Sequence, residues 1–301
     1  MNRHTKAAFA ALALAFAAVP ATAQELTGTL KKIKDSGSIT IGHRETSVPF
    51  SYLDDKQQPI GYSMDICAAI VEEVKKELGM SQLQVKYNPV TSQTRIPLMS
   101  NGTIDLECGS TTNTLTRQKQ VAFAPVTYIT GTKLLVKKSS KIKTYKDLKN
   151  KTVVVTQGTT NERIIKALSD KENLNIKFLN AKDHAESFLT VESGRAAAFS
   201  MDDILLYGLM AKAKNPKDFD VVGDYLSYDP YGMMYRTNDD AFGVVIRRAV
   251  ARFFGEPGQC NGPIKASYKK WFVDKLPSGE TMGVPMSPLL ETVCRTNALP
   301  D

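Results

Sequence analysis

The sequence predicts an α/β protein built as two lobes, one of them discontinuous. Three observations carry that expectation. Strand and helix signals alternate with short gaps, the pattern of layers in which helices cover largely parallel sheets. The alternation occurs twice, and the block 151–213 forms a small α/β unit of its own. Two extended segments, 127–137 and 231–236, bracket that unit. If both run between lobes, the chain crosses over and later returns. The first lobe is then expected from 24–130 and 233–301 and the second from 131–232, joined by two crossover hinge strands.

Taken in order, the chain opens with Arg3 and Lys6, no acid, and an almost unbroken run of Ala, Leu, Phe and Val over 7–19. Pro20 breaks the run, and Ala21-Thr22-Ala23 supplies the small residues a signal peptidase accepts. A basic start, a short apolar core and an A-x-A end define a secretory signal. The run is shorter than the roughly 20 residues of a spanning helix. A signal peptide over 1–23, cleaved after Ala23, is therefore expected in place of an anchor.

A short helix with Leu30 and Ile33 inward precedes a strand at 38–42. Residues 63–78 read as a helix because Met64, Ala68, Val71 and Val74 recur near helical spacing, and Gly79 ends it. A strand at 83–87 follows, then a short helix at 94–100 with Pro97 in its first turn, where a missing N–H is tolerated. A strand at 104–108 closes the first alternation. The second begins with the β-branched run 151–156 and continues with helix 160–169, strand 175–179 and helix 183–192. A strand at 196–201 leads into a helix from 202 to about 213. Beyond lie a strand at 231–235 and a long amphipathic helix at 239–254.

Across 301 residues, 39 Lys and Arg against 31 Asp and Glu give a formal charge of +8, and the two signs are interleaved. Glu72-Glu73 beside Lys75-Lys76 is typical of a solvated surface. No stretch clusters basic with aromatic residues, so no nucleic-acid partner is expected. A positive field still attracts small anions. None of the four cysteines lies in a CxxC pair or near His at zinc spacing, so neither metal nor cofactor is expected. In an oxidising compartment disulfides become plausible. Cys260 and Cys294 share a tail that reads as loop-rich and are the favoured pair; Cys67 and Cys108 fit buried thiols or bonded partners equally.

Two segments then narrow the reading. Gly61-Tyr62-Ser63-Met64-Asp65-Ile66, followed by Ile70, Val71 and Val74, resembles the signature of bacterial solute-binding proteins that serve polar amino-acid transporters, with Ser63 where an acid is usual. The run from Ser110 to Arg117, with Phe123 following, looks like that family's S-x-T-x4-R-x5-F segment. The similarity spans the chain beyond the signal and is greatest to the periplasmic glutamate/aspartate-binding members, through GHRETSVPFSY, TSQTRIPL, ECGSTTN, AKDH and MDD. The resemblance implies the type II periplasmic-binding fold, closing on L-glutamate or L-aspartate and delivering it to an inner-membrane ABC permease. A periplasmic monomer that does no chemistry on its ligand is expected.

A free amino acid carries a carboxylate and an ammonium, so its site needs a fixed cation and a fixed anion. The planar fork of arginine suits the carboxylate. The resemblance gives that role to Arg117, helped by Ser110 and Thr112, and makes Asp202 the partner of the ammonium. Gly158-Thr159-Thr160 precedes a helix, whose start favours an anion. Thr159 and Thr160 also suit helix caps, and Asp203 competes with Asp202. Three further positions follow strand ends: Arg44, Arg95 with Ser92 before it, and His184. In α/β lobes such positions face a cleft. Together they suit a second carboxylate and would repel a basic side chain. The bland alternatives are a surface pairing of Arg44 with Glu45, a structural Arg95, and a His184 that merely begins a helix.

An exported enzyme of dehydratase type on the same architecture is the rival reading, since fold alone does not fix function. The sequence holds no GxSxG, HExxH or phosphate-cradling glycine loop. A sensor or chemotaxis ligand carrier would share the site and differ only in its docking surface.

Overall fold

The structure is a computed structural model that describes residues 26–297. The signal peptide expected over 1–23 lies outside the described residues. Two five-stranded sheets organise the chain. The first runs Gln84–Pro89, Ser38–His43, Leu106–Cys108, Met234–Arg236, Val121–Phe123, and so takes strands from both sides of the middle block. The second runs Lys177–Ala181, Thr152–Thr156, Ala198–Asp202, Thr132–Lys137, Phe219–Val222. The architecture is two-lobed and α/β.

Three strands of each sheet are parallel. One strand of each sheet departs from the largely parallel expectation. Met234–Arg236 runs antiparallel to both of its neighbours, and Thr132–Lys137 does so between Ala198–Asp202 and Phe219–Val222. The physical reason is the crossing itself. A strand that arrives from the other lobe enters without a covering helix to turn it, and its direction opposes that of the helix-linked strands.

Helix Tyr62–Glu77 is amphipathic: of the expected repeat it buries Met64, Val71 and Val74 and leaves Ala68 exposed, and it buries Ile66 and Ile70 as well and packs against helix Asp240–Phe254. The extended segment expected at 127–137 is two strands, Tyr128–Thr130 and Thr132–Lys137, broken at Gly131. A Cβ at Gly131 would come within 2.2 Å of the Ser227 carbonyl, so only glycine passes there. Tyr128–Thr130 pairs antiparallel with Asp229–Tyr231, which makes these the two crossings. An aromatic cluster grips both: the Phe50 ring lies 4.9 Å from Tyr128 and 5.2 Å from Tyr231, and Phe272 stacks on Tyr128 at 5.2 Å. The Tyr62 hydroxyl donates to the Thr127 carbonyl at 3.0 Å.

Several elements lie outside those the sequence reading expected. The small sheet Thr46–Ser47, Ser51–Leu53, Pro59–Ile60 has strands of two or three residues, too short for periodicity. The tail read as loop-rich holds helix Ile264–Tyr268, a π-helical turn Lys269–Val273 and helix Pro288–Asn297. Cys260–Cys294 is bonded there, and so is Cys67–Cys108, which ties helix Tyr62–Glu77 to the strand ending at Cys108. Among the described residues no helix is long and apolar enough to cross a membrane. No group of three His, Cys, Asp or Glu among them could hold a metal ion.

Candidate functional site

The ends of the parallel strands deliver the site. Arg44 follows Ser38–His43 directly, its backbone N–H held by the Ser51 hydroxyl at 2.9 Å. Arg95 is the first residue of helix Arg95–Ser100, after the strand Gln84–Pro89. Ser110 and Thr112 lie in the loop after Leu106–Cys108, and Arg117 sits in the one-turn helix Leu115–Gln118. From the second lobe come Thr159 and Thr160 at the start of helix Thr160–Lys171, His184 at the start of His184–Glu192, and Asp202 at the end of Ala198–Asp202. All ten expected residues, Ser92 among them, are buried.

Three guanidiniums are thus taken out of water together. Burial lowers the proton affinity of each, to about 10 for Arg44 and about 9 for Arg117, and Arg95 adds repulsion to both. Arg44 Nη1, Arg95 Nε and Nη1, Ser92 Oγ and Ser110 Oγ have no hydrogen-bond partner among the described residues. A buried donor left unpaired costs about 1–3 kcal/mol, and five together mark a place built to receive an acceptor. Arg44, Arg95 and Arg117 converge; none of them makes a carboxylate ion pair among the described residues.

The lobes meet across this space. Arg117 donates through Nη1 to the Thr112 carbonyl at 2.8 Å and through Nη2 to the Gly158 carbonyl at 3.1 Å. The Thr112 and Thr160 hydroxyls lie 3.4 Å apart. Gly158, at φ +77°, is pressed so close that a Cβ would stand 2.8 Å from the Gln93 Cα and the Ser92 carbonyl. Thr159 is a helix cap: its hydroxyl accepts from the Glu162 N–H at 3.1 Å and donates to the Thr156 carbonyl at 2.8 Å. Thr160 is not occupied in that way.

His184 differs from its expected role as an extra donor at the second carboxylate. Burial and the neighbouring Arg44 and Arg95 hold its pKa well below the ordinary value, so the ring is neutral. Arg44 Nη2 lies 3.4 Å from Nε2 and can only donate, so Nε2 accepts. Nδ1–H then donates to the Thr156 hydroxyl at 3.0 Å, which in turn lies 2.8 Å from Ser187 Oγ. In this geometry His184 sets the direction of Arg44.

On the opposite side stands Asp202. It makes no cap to the helix it precedes. Instead Oδ1 accepts from Asn161 Nδ2 at 2.7 Å and Oδ2 from the Tyr231 hydroxyl. Burial, reinforced by Asp229, raises its pKa to about 7. The competing Asp203 faces away, taken by the Thr130 and Tyr225 hydroxyls at 2.6 Å each. Asn161, Tyr231 and Thr156 are site residues that sequence reasoning missed. Tyr231 had a signal, since it lies on a crossing strand, and so did Thr156, which ends an expected strand; Asn161 had none. The arrangement can hold an anion between three cations and, beside it, a cation at Asp202.

Comparison with known proteins places the chain in a family. The family model described as bacterial extracellular solute-binding proteins, family 3, matches residues 39–274. The chain is 50% identical over 279 residues to the L-glutamate/L-aspartate-binding protein of Pseudomonas aeruginosa, covering 92% of this chain and 91% of that one. It is 48% identical over 276 residues to the glutamate/aspartate import solute-binding protein of Escherichia coli, covering 90% of each. Among solved structures it is similar to a mutant of ArgBP from T. maritima, with a TM-score of 0.72, 25% identity, and coverage of 82% of this chain and all of that one.

Proposed function

Because the chain belongs to the bacterial extracellular solute-binding proteins, family 3, we propose that it captures glutamate or aspartate between its lobes and passes the ligand unchanged to an ABC amino-acid importer. It is a binding protein, not an enzyme, as are the relatives it matches along nearly its whole length. The lobes are residues 24–130 with 233–301, and 131–232. The mature protein works in the periplasm as a monomer after loss of residues 1–23, and meets inner-membrane permease subunits there.

The convergence of Arg44, Arg95 and Arg117 opposite Asp202 supports this reading above all else. Arg117, with Ser110, Thr112 and the start of helix Thr160–Lys171, takes the α-carboxylate. Asp202 takes the ammonium, steadied by Asn161 and Tyr231. Arg95, Ser92 and Arg44, the last directed by His184, take the side-chain carboxylate. Closure of the lobes removes water, lowers the effective dielectric and strengthens each contact.

The test is calorimetry of glutamate, aspartate and glutamine on the Arg44→Ala variant. Losing one partner of a buried charge pair costs about 3 kcal/mol, roughly a hundredfold. That loss is expected for glutamate and aspartate, with glutamine changed far less. Equal losses for all three would make Arg44 structural.

Asp202 adds a pH dependence. Its pKa of about 7 is raised by burial and Asp229, with Asp203 contributing. An ammonium alongside favours the ionised form, so the bound protein holds this proton less tightly than the free one. Affinity is therefore full above pH 7 and falls as pH drops through 7, by up to about tenfold per unit. The ligand carboxylates stay ionised over that range. Titrations between pH 5.5 and 8 in buffers of different ionisation heat should register proton release near neutrality. A flat profile would remove Asp202 as the ammonium partner.

A further inference from the structure

Glu107 has no place among the ligand contacts above, yet it lies beneath them. It is fully buried at the centre of the strand Leu106–Cys108, paired with Gly42 on one side and Met234 on the other. Oε2 accepts from the Thr111 hydroxyl at 2.7 Å, and Oε1 has no hydrogen-bond partner among the described residues. A Cβ built at Gly109 would fall 2.2 Å from Oε1 and 2.9 Å from Arg44 Cγ. The carboxylate and the Arg44 stem therefore face each other across a glycine. A side chain at 109 would separate them.

Glu107 also acts on all three guanidiniums, opposing the effect of burial on Arg44, Arg95 and Arg117 alike. Asp183 is felt by Arg44, and Asp202 by Arg95 and Arg117. Among the described residues Glu107 makes no ion pair. It is near enough to offset the mutual repulsion of the arginines and does not occupy their N–H groups.

We infer that Glu107 is a buried counter-charge that holds the arginine cluster together before ligand arrives and sets how much negative charge the cleft accepts. It is a specificity-determining residue that acts through the guanidiniums and does not touch the guest. The inference rests on the acidic amino-acid reading of the cleft. Removing the charge should strengthen the cleft's pull in proportion to the guest's net charge. Glutarate, with two carboxylates and no ammonium, gains most; glutamate gains less; glutamine gains nothing.

The experiment compares wild type with Glu107→Gln, in which the amide oxygen can still accept from Thr111, by calorimetry with those three ligands. One unit charge at the effective dielectric of a protein interior corresponds to roughly tenfold or more. The glutarate-to-glutamine affinity ratio should rise at least that much, and the ligand-free variant should melt at lower temperature. Thr111→Val, which removes the hydrogen bond and keeps the charge, should show no ranking by ligand charge. The same factor for all three ligands in Glu107→Gln would overturn the inference. If Glu107→Gln does not fold, the compensated variant Glu107→Gln with Arg44→Gln decides: recovery of folding supports the counter-charge, and failure to recover rejects it. Wild type that ignores glutamate and aspartate would instead defeat the underlying reading, which separates the two outcomes.

Discussion

Replacing Arg95 with alanine is expected to weaken glutamate binding by about 3–5 kcal/mol, roughly a hundredfold to several-thousandfold, because a buried carboxylate loses one of its two cations. The effect should be largest here because Arg95 is the guanidinium that repels both of the others. Its Nε and Nη1 have no hydrogen-bond partner among the described residues. The same crowding predicts a second, opposite result. Taking one of three like charges out of the ligand-free cleft relieves repulsion, so the thermal midpoint of ligand-free Arg95→Ala should not fall. Calorimetry and a melting curve on one preparation measure both. Unchanged glutamate affinity would remove Arg95 from the site, and a collapse of ligand-free stability would make it a structural residue.

Loss of the Cys67–Cys108 bond is expected to cost about 4 kcal/mol of stability, the chain-entropy value for a closed loop of about 40 residues. The bonded positions are 41 apart in sequence. The bond joins the helix Tyr62–Glu77 to the strand that carries Glu107 and leads into Ser110 and Thr112. A Cys67→Ala, Cys108→Ala double variant should therefore unfold at lower urea, with Cys260–Cys294 left intact as an internal reference. Its glutamate affinity should drop much less than its stability, since folded molecules still present the same loop. A stability change below about 1 kcal/mol would mean that this loop is already restrained in the unfolded chain.

Much of the molecule was legible because its elements follow from near neighbours. The repeat of Met64, Ala68, Val71 and Val74 makes a helix anywhere that offers an apolar face, and the run 151–156 prefers an extended backbone in almost any setting. The short strands at 46–47, 51–53 and 59–60 escaped notice for the converse reason: two or three residues hold no period, and their pairing comes from the partner strand. Arg44 and Arg95 could be singled out because they follow strand ends, and strand ends are local; Asp202 takes its expected role from the family resemblance. Asn161 could not, since its value lies in reaching Asp202, 41 positions away, at 2.7 Å.

The sequence by itself determined the alternating α/β pattern, the two crossings and the presence of arginines in several loops after strands. Those properties depend on side-chain identity and on spacing of a few residues. Tertiary structure alone decided that Cys67 bonds Cys108, that the crossing strands run antiparallel, that His184 is neutral and steers Arg44, and that Glu107 lies under three guanidiniums. Each of these is a relation between distant parts of the chain. Whether a buried ionisable group is charged, and what it does, depends on the field at its position, and that field is set by residues the local sequence does not contain.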